Sequence, residues 1–325
     1  MSPRELWFTA ARQVELRQVA ASPPLGAGQV RLRGLASGIS QGTELLLYRG
    51  EGPTPFDPSL DAPDAPTYPR RYGYAWVGEV AESHSTELAV GARVFALAPH
   101  ADEHRLDAAH VRQLPEAVPA VRAVLAANLE TAINVVWDAG IALGDEVVVI
   151  GGGVVGLLAG YAARRGGASR VSLVEPSRRR RDAALELGFQ RALAPEQASG
   201  ISADVVIEAS GNPACLDLAV QLARDEALIV VASFYGQRVA PVALGSDFHR
   251  GRLTLRASQV SRLPPARSVG WSFTRRFQLV TELLRDSGLD ALLDPPVPFA
   301  QAPATYARLA RAPGDSLQTV FSYVP

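Results

Sequence analysis

Residues 147–156 read Val147-Val148-Val149-Ile150-Gly151-Gly152-Gly153-Val154-Val155-Gly156, and Glu175 follows nineteen residues after the last of these glycines. The β-branched run predicts a buried strand. Gly151, Gly153 and Gly156 fit the G-x-G-x-x-G spacing that turns a strand tightly into a helix. The first glycine permits the turn, the second lets a pyrophosphate approach bare backbone, and the third lets helix and strand pack closely. The pyrophosphate then rests on the helix N-terminus, where the free N–H groups of the first turn, Val154 and Val155 among them, favour negative charge. Glu175 ends the next apolar run, Arg170 to Val174, where a carboxylate can accept hydrogen bonds from an adenosine ribose. The plain alternative is a glycine-rich strand-to-helix turn with no ligand.

At 325 residues the chain exceeds what one core usually holds, which predicts two domains. A formal net charge of -1 gives no argument for nucleic acid or for an anionic membrane as partner. The opening stretch Met1 to Arg12 already carries Arg4, Glu5 and Arg12, unlike a secretory signal. The uncharged stretch Val147 to Ala163 contains the glycine turn and reads as a buried strand and helix rather than a membrane span. A cytoplasmic location is the expectation. All 32 basic residues are arginine, so chemistry that needs lysine is excluded. Cys215 is the single cysteine, which excludes internal disulfides and cysteine-rich zinc sites.

From about Glu5 to Val111, short alternating runs such as Gln29 to Leu35, Trp76 to Ala81 and Ala92 to Leu97 are separated by glycine and proline and read as strands. Gly50 to Pro69 is proline-rich and reads as a surface loop or a lid. From about Pro119, strands alternate with helices: Ala120 to Ala139 helical, the fingerprint strand, a helix from Val154, strand Val171 to Val174, a helix from Arg178, strand Val205 to Ile207 and strand Ala227 to Ala232. That alternation predicts a doubly wound parallel sheet. Leu253 to Ser258 reads as its edge strand, and Gln318 to Tyr323 as a last strand returning to the first domain.

This order, together with three motifs, resembles the medium-chain dehydrogenase/reductase (alcohol dehydrogenase-like) superfamily. Gly38-Ile39-Ser40-Gln41-Gly42-Thr43-Glu44 looks like the segment that carries the first zinc cysteine of the zinc enzymes. Tyr72 to Val80 looks like their Gly-His-Glu motif, and Gly91-Ala92-Arg93-Val94 like a Gly-Asp-Arg-Val turn. The resemblance implies an α/β protein: a GroES-like β-rich catalytic domain at 1–122 and 259–325, and a Rossmann domain at 123–258. It also implies a homodimer and a small-molecule substrate. The metal ligands are missing, however. Ser40 or Gln41 stands where a cysteine would be, Tyr74 replaces the histidine, Ala75 replaces the glutamate, and Ala127 or Asn128 occupies the neighbourhood of the third ligand. A catalytic zinc needs about three protein ligands, so the expectation is no zinc. The chain is loosely similar to the bacteriochlorophyllide dehydrogenase subgroup.

Without a metal, alkoxide charge must be met by hydrogen-bond donors. Ser40, Thr43 and Tyr74 are the candidates, against a reading in which Tyr74 is merely packed and Ser40 caps a turn. Glu130 is a candidate proton carrier or only a helix-face charge, and Thr131 matches a threonine placed near nicotinamide in similar enzymes. Ser210 and Gly211, after Glu208, and Ser233 end neighbouring strands where a nicotinamide would lie. Glu175 favours NAD. Arg180, within the run Arg178 to Arg181, could instead pair with the phosphate of NADP. His100 is a candidate relay, and His100 with His104 a weak metal pair. The expected activity is zinc-independent hydride transfer between NAD(P) and an alcohol or carbonyl. An NADPH-dependent C=C reductase of the quinone reductase kind, or a non-catalytic nucleotide-binding protein, are the alternatives.

Overall fold

A run such as Leu45-Leu46-Leu47-Tyr48 has no helical period, yet in the structure it is the buried heart of a helix, Gln41–Arg49, in an otherwise β-rich segment. The structure is a computed structural model that describes residues 2–20, 22–53, 67–312 and 314–323. Most of the proline-rich segment, residues 54–66, therefore lies outside the described residues.

The chain divides into two units, Met1–Ala127 with Thr281–Pro325, and Asn128–Val280. The first is the GroES-like β-rich fold. Its sheet runs in the order Val297–Pro298, Val320–Ser322, Gln29–Gly38, Trp76–Ser83, Arg93–Ala96 and Val111–Gln113, with Glu103–Asp107 also paired to Gln29–Gly38. Val320–Ser322 lies antiparallel to Gln29–Gly38, so the chain's last strand completes the sheet that its first third began. Among the described residues, two apolar clusters lie in this unit. One centres on Val30, Leu32, Trp76 and Val80. The other gathers Leu6, Phe8, the helix Gln41–Arg49, Tyr306 of the helix Ala302–Arg311, and Phe321. That last helix is a second element that a reading of strands alone does not anticipate.

The second unit is a Rossmann fold. Six strands pair in the order Arg191–Leu193, Arg170–Val174, Glu146–Ile150, Ala203–Glu208, Ala223–Val231, Thr254–Ala257, every ladder parallel. The chain order reverses between Glu146–Ile150 and Ala203–Glu208, and ligands of such sheets bind beyond the carboxyl ends at that reversal. The second unit extends further along the chain than the expected boundary at 258. Residues 259–280 belong with it because Arg276 donates to Val260 O at 2.9 Å and Asn134 Oδ1 at 3.0 Å, and Trp271 stacks on Trp137 at 4.6 Å. Among the described residues, no helix is long and apolar enough to cross a membrane.

His104 belongs to the core of the first unit. It lies in the strand Glu103–Asp107, and its Nε2–H donates to Pro99 O at 2.8 Å while its ring meets Trp76 edge to face at 4.8 Å. His100 is in a loop, so the helical spacing that a metal pair would need is absent. Burial pulls the His104 pKa down to about 4. An unfolded histidine titrates near ~6.5, so between these values the unfolded chain binds a proton that the native one refuses. Stability from this residue is present above that window and lost as pH falls through it. Unfolding free energy of the wild type should therefore fall about 1.4 kcal/mol per pH unit more steeply than that of His104→Gln between these two pKa values. Equal slopes would contradict the assignment.

Candidate active site

The two units each carry part of the predicted chemistry. In the second, the strand Glu146–Ile150 ends at Gly151, whose φ of +100 suits glycine. A Cβ at Gly151 would lie 2.5 Å from Ser210 Cα, and one at Gly156 only 2.0 Å from Gly151 O. Gly153 has nothing within 4 Å of its would-be Cβ. So the first and third glycines are demanded by close packing, and the second leaves an open cradle. Gly153 is the N-cap of the helix Val154–Gly166, and no side chain caps it. The N–H groups of Val154, Val155 and Gly156 lie in that first turn, where an α-helix leaves its donors unpaired and able to receive an anion.

Glu175, 4% exposed, closes this loop from below. Its Oε2 accepts the Gly152 N–H at 2.6 Å and its Oε1 the Ser177 N–H at 2.9 Å. Arg180 Nη1 stands 3.9 Å from the same carboxylate. The four arginines differ in use: Arg181 donates to the carbonyls of Glu175 and Pro176, whereas Arg178 is exposed and pairs loosely with Asp182. A 2′-phosphate at this place would meet the Glu175 carboxylate as well as Arg180.

Ser210, Gly211 and Ser233 come together at the ends of adjacent strands. Ser233 Oγ accepts the Gly211 N–H at 2.8 Å. Ser210 is tied through N–H and Oγ to the buried carboxylate of Glu208, which also accepts the Tyr235 hydroxyl. Burial, then Glu208, pushes the Tyr235 pKa upward and keeps it a donor. Glu208 and Tyr235 lie in the two strand-end segments that the sequence marks out, but no role for their side chains is readable there. Thr131 sits half-buried in the helix Ala126–Ala139. Glu130, one residue earlier, is held by Arg276 at 3.1 Å, a nearly buried guanidinium that also binds Asn134. That pair places Glu130 in a fixed side-chain cluster with Arg276 and Asn134.

In the first unit, Ser40, Thr43 and Tyr74 meet. The Tyr74 hydroxyl donates to Ser40 Oγ and lies 3.3 Å from Thr43 Oγ1. Ser40 occupies the N-cap position of the helix Gln41–Arg49, where serine ordinarily turns its hydroxyl onto the helix. Here it makes no such bond, and its hydroxyl is committed to Tyr74. Gln41 is tied to Leu317 O at 2.6 Å. The cluster offers hydroxyls, and among the described residues no group of three or more His, Cys, Asp or Glu could hold a metal ion. A donor set of serine, threonine and tyrosine hydroxyls beside Ala75 does not fit a zinc ion.

Behind the hydroxyls lies a set of which the sequence reading named only His100, as a candidate relay. Glu44, 0% exposed, accepts the Ser40 N–H at 2.8 Å, the His100 Nε2 at 3.0 Å and the Tyr306 hydroxyl. His100 Nδ1 lies 2.6 Å from Ser37 Oγ, which lies 2.7 Å from the Tyr323 hydroxyl. Burial raises the pKa values of Tyr306 and Tyr323, Glu44 adding to both, so each stays a phenol.

The family profile described as zinc-binding dehydrogenase matches residues 154–269. The D-guloside 3-dehydrogenase of Escherichia coli K12 is 28% identical over 309 residues, covering 86% of this chain and 88% of that protein. Among solved structures, a Sinorhizobium meliloti 1021 protein bound to NADP superposes with a TM-score of 0.81 at 20% identity, covering 99% of each chain. The 2R,3R-butanediol dehydrogenase of Bacillus subtilis gives 0.80 at 19% identity, again over 99% of each.

The geometry of the glycine loop makes Glu175 its most informative residue. Glu175→Ala should weaken NADH binding by roughly tenfold, about the 1.4 kcal/mol of a charged hydrogen bond, and narrow the preference over NADPH. Unchanged titrations with both would remove Glu175 from the site.

Proposed function

We propose that this chain, a dehydrogenase of the medium-chain type, moves hydride between NAD(H) and a secondary alcohol or ketone of a polyol-like substrate, without zinc. The observation that carries the reading is the Ser40–Thr43–Tyr74 cluster: three hydroxyls converge where the resemblance places metal ligands. The nicotinamide, when bound, supplies the hydride acceptor or donor. The protein's part is to hold the substrate oxygen and meet its developing charge. The Tyr74 hydroxyl has one hydrogen, which it can turn from Ser40 Oγ onto that oxygen, and preorganised donors stabilise an alkoxide strongly in a site shielded from water. Thr43 and Ser40 complete the set and can pass the proton. In the other unit, the bare turn at Gly153 receives the pyrophosphate and Glu175 takes the ribose, which supports NAD; Arg180 keeps NADP as the second choice.

Names among the relatives support a polyol or sugar substrate: D-guloside 3-dehydrogenase over most of the chain, and scyllo-inosose 3-dehydrogenase of Thermotoga maritima over 32% of it. They support carbonyl chemistry over C=C reduction. A panel of methyl D-guloside, D-xylulose and 2,3-butanediol tests the reading. Tyr74→Phe should lower kcat/KM on the accepted member by roughly 100-fold, as loss of a charge-stabilising donor does, with NADH affinity unchanged. Equal turnover would remove Tyr74 from the chemistry. Elemental analysis of the purified protein should find no stoichiometric zinc, and one tightly bound ion per chain would refute the metal-free reading.

The homodimer is also a proposal, supported by the strand Thr254–Ala257, which is exposed along its length at the edge of the parallel sheet. An unprotected edge invites pairing with another strand, and two-fold pairing closes it. Sedimentation should give a dimer, and Leu255→Pro a monomer that still binds NADH. A wild-type monomer would contradict this.

A further inference from the structure

A carboxylate is costly to bury without partners, and proteins that keep one in a dry core give it donors. Glu44 sits in the most aromatic part of the first unit. Tyr306 stands edge-on to Phe8 at 5.3 Å and beside Tyr48 at 5.8 Å, and His100 lies edge-on to Phe321 at 5.3 Å. Stability alone does not explain the set, since apolar residues of similar size in place of Glu44, His100 and Tyr306 together are often as stable as such a buried polar cluster. The direction of the Glu44 bonds does. One oxygen takes the two core donors, His100 and Tyr306; the other takes the Ser40 N–H. The Glu44 N–H in turn donates to Ser40 O at 2.8 Å. Ser40 is thus gripped at both its backbone groups by a single residue, itself anchored by two rigid side chains.

We infer that Glu44 is the positioning residue of the proposed active site: through the Ser40 backbone it sets the Ser40–Tyr74–Thr43 hydroxyls, with His100 and Tyr306 fixing the carboxylate. A helix start would normally recruit the Ser40 hydroxyl as its own cap. Glu44 holds the Ser40 N–H on the inner side of that turn, and the hydroxyl is used on Tyr74 instead. His100 is held in turn by Ser37 and Tyr323, so the support runs through five side chains: Tyr306, Glu44, His100, Ser37 and Tyr323. The inference rests on the reading of the hydroxyl cluster as the place where the substrate oxygen is held.

The test is a double-variant cycle on the accepted panel substrate, with NAD+ for an alcohol or NADH for a ketone, and the full chain. Glu44→Gln keeps the shape but puts an amide where Glu44 offers only acceptors. A displacement of the hydroxyls should lower kcat roughly 100-fold, with KM and NADH affinity little changed. Because Glu44 acts through Tyr74, Glu44→Gln in a Tyr74→Phe background should cost less than about 2-fold more. Tyr306→Phe, which removes one donor to Glu44 and leaves the fold's packing in place, should show the same dependence on Tyr74 and serves if Glu44→Gln does not fold. Losses that multiply independently, to roughly 10⁴-fold in the double variant, would overturn the inference while leaving the hydroxyl reading intact. Wild-type turnover unaffected by Tyr74→Phe, or no wild-type turnover across the panel, would overturn the hydroxyl reading and this inference with it.

Discussion

A carboxylate with no access to water must have its oxygens answered by donors, and the way Glu44 meets that constraint organises the first unit. Its three partners come from separate parts of the sequence: the turn at Ser40, the loop at His100 and the C-terminal helix at Tyr306. The C-terminal return of the chain is therefore required by the chemistry of one buried residue as well as by the sheet, where Val320–Ser322 pairs with Gln29–Gly38. Tyr323, just past that strand, extends the same network through Ser37 to His100. The hydroxyls of Ser40, Thr43 and Tyr74 sit on the edge of this structure and inherit their geometry from it.

The second unit depends on a different constraint, which is space. Gly151 and Gly156 have no room for a side chain against Ser210 and against each other, whereas Gly153 faces open space. Glu175 serves the loop, because its carboxylate accepts a loop N–H. The proposed ribose contact must therefore share that carboxylate with Gly152, and a charge-removing substitution there would disturb the loop along with the ribose pocket.

The Rossmann half was legible because it is written in local patterns. Apolar runs of strand length, glycines at fixed spacing and an acid at the end of the next strand all lie within thirty residues of one another. The departures from the zinc enzymes' motifs, at Ser40 or Gln41, Tyr74 and Ala75, are likewise readable in the sequence and make the absence of zinc an expectation. Two helices of the first unit, Gln41–Arg49 and Ala302–Arg311, were not legible: Leu45 to Tyr48 are all buried, so that run carries no helical period. Glu44 was in plain view at the end of the Gly38 to Glu44 motif, but its partners His100 and Tyr306 are 56 and 262 residues away. No spacing rule links such positions. A histidine that no local pattern explains and a tyrosine on a C-terminal helix acquire meaning only when the fold brings them to one carboxylate. Glu130 is a similar case, since its ion-pair partner Arg276 lies 146 residues distant.

The central claim is that hydroxyls, rather than a metal, hold the reacting oxygen. A crystal structure of the chain with NADH and the ketone of the accepted substrate, recorded at the zinc absorption edge, addresses it most directly. The account predicts the carbonyl oxygen within hydrogen-bond distance of the Tyr74 hydroxyl and no anomalous peak beside Ser40. A zinc peak at that position, or a carbonyl turned away from Tyr74, would contradict it.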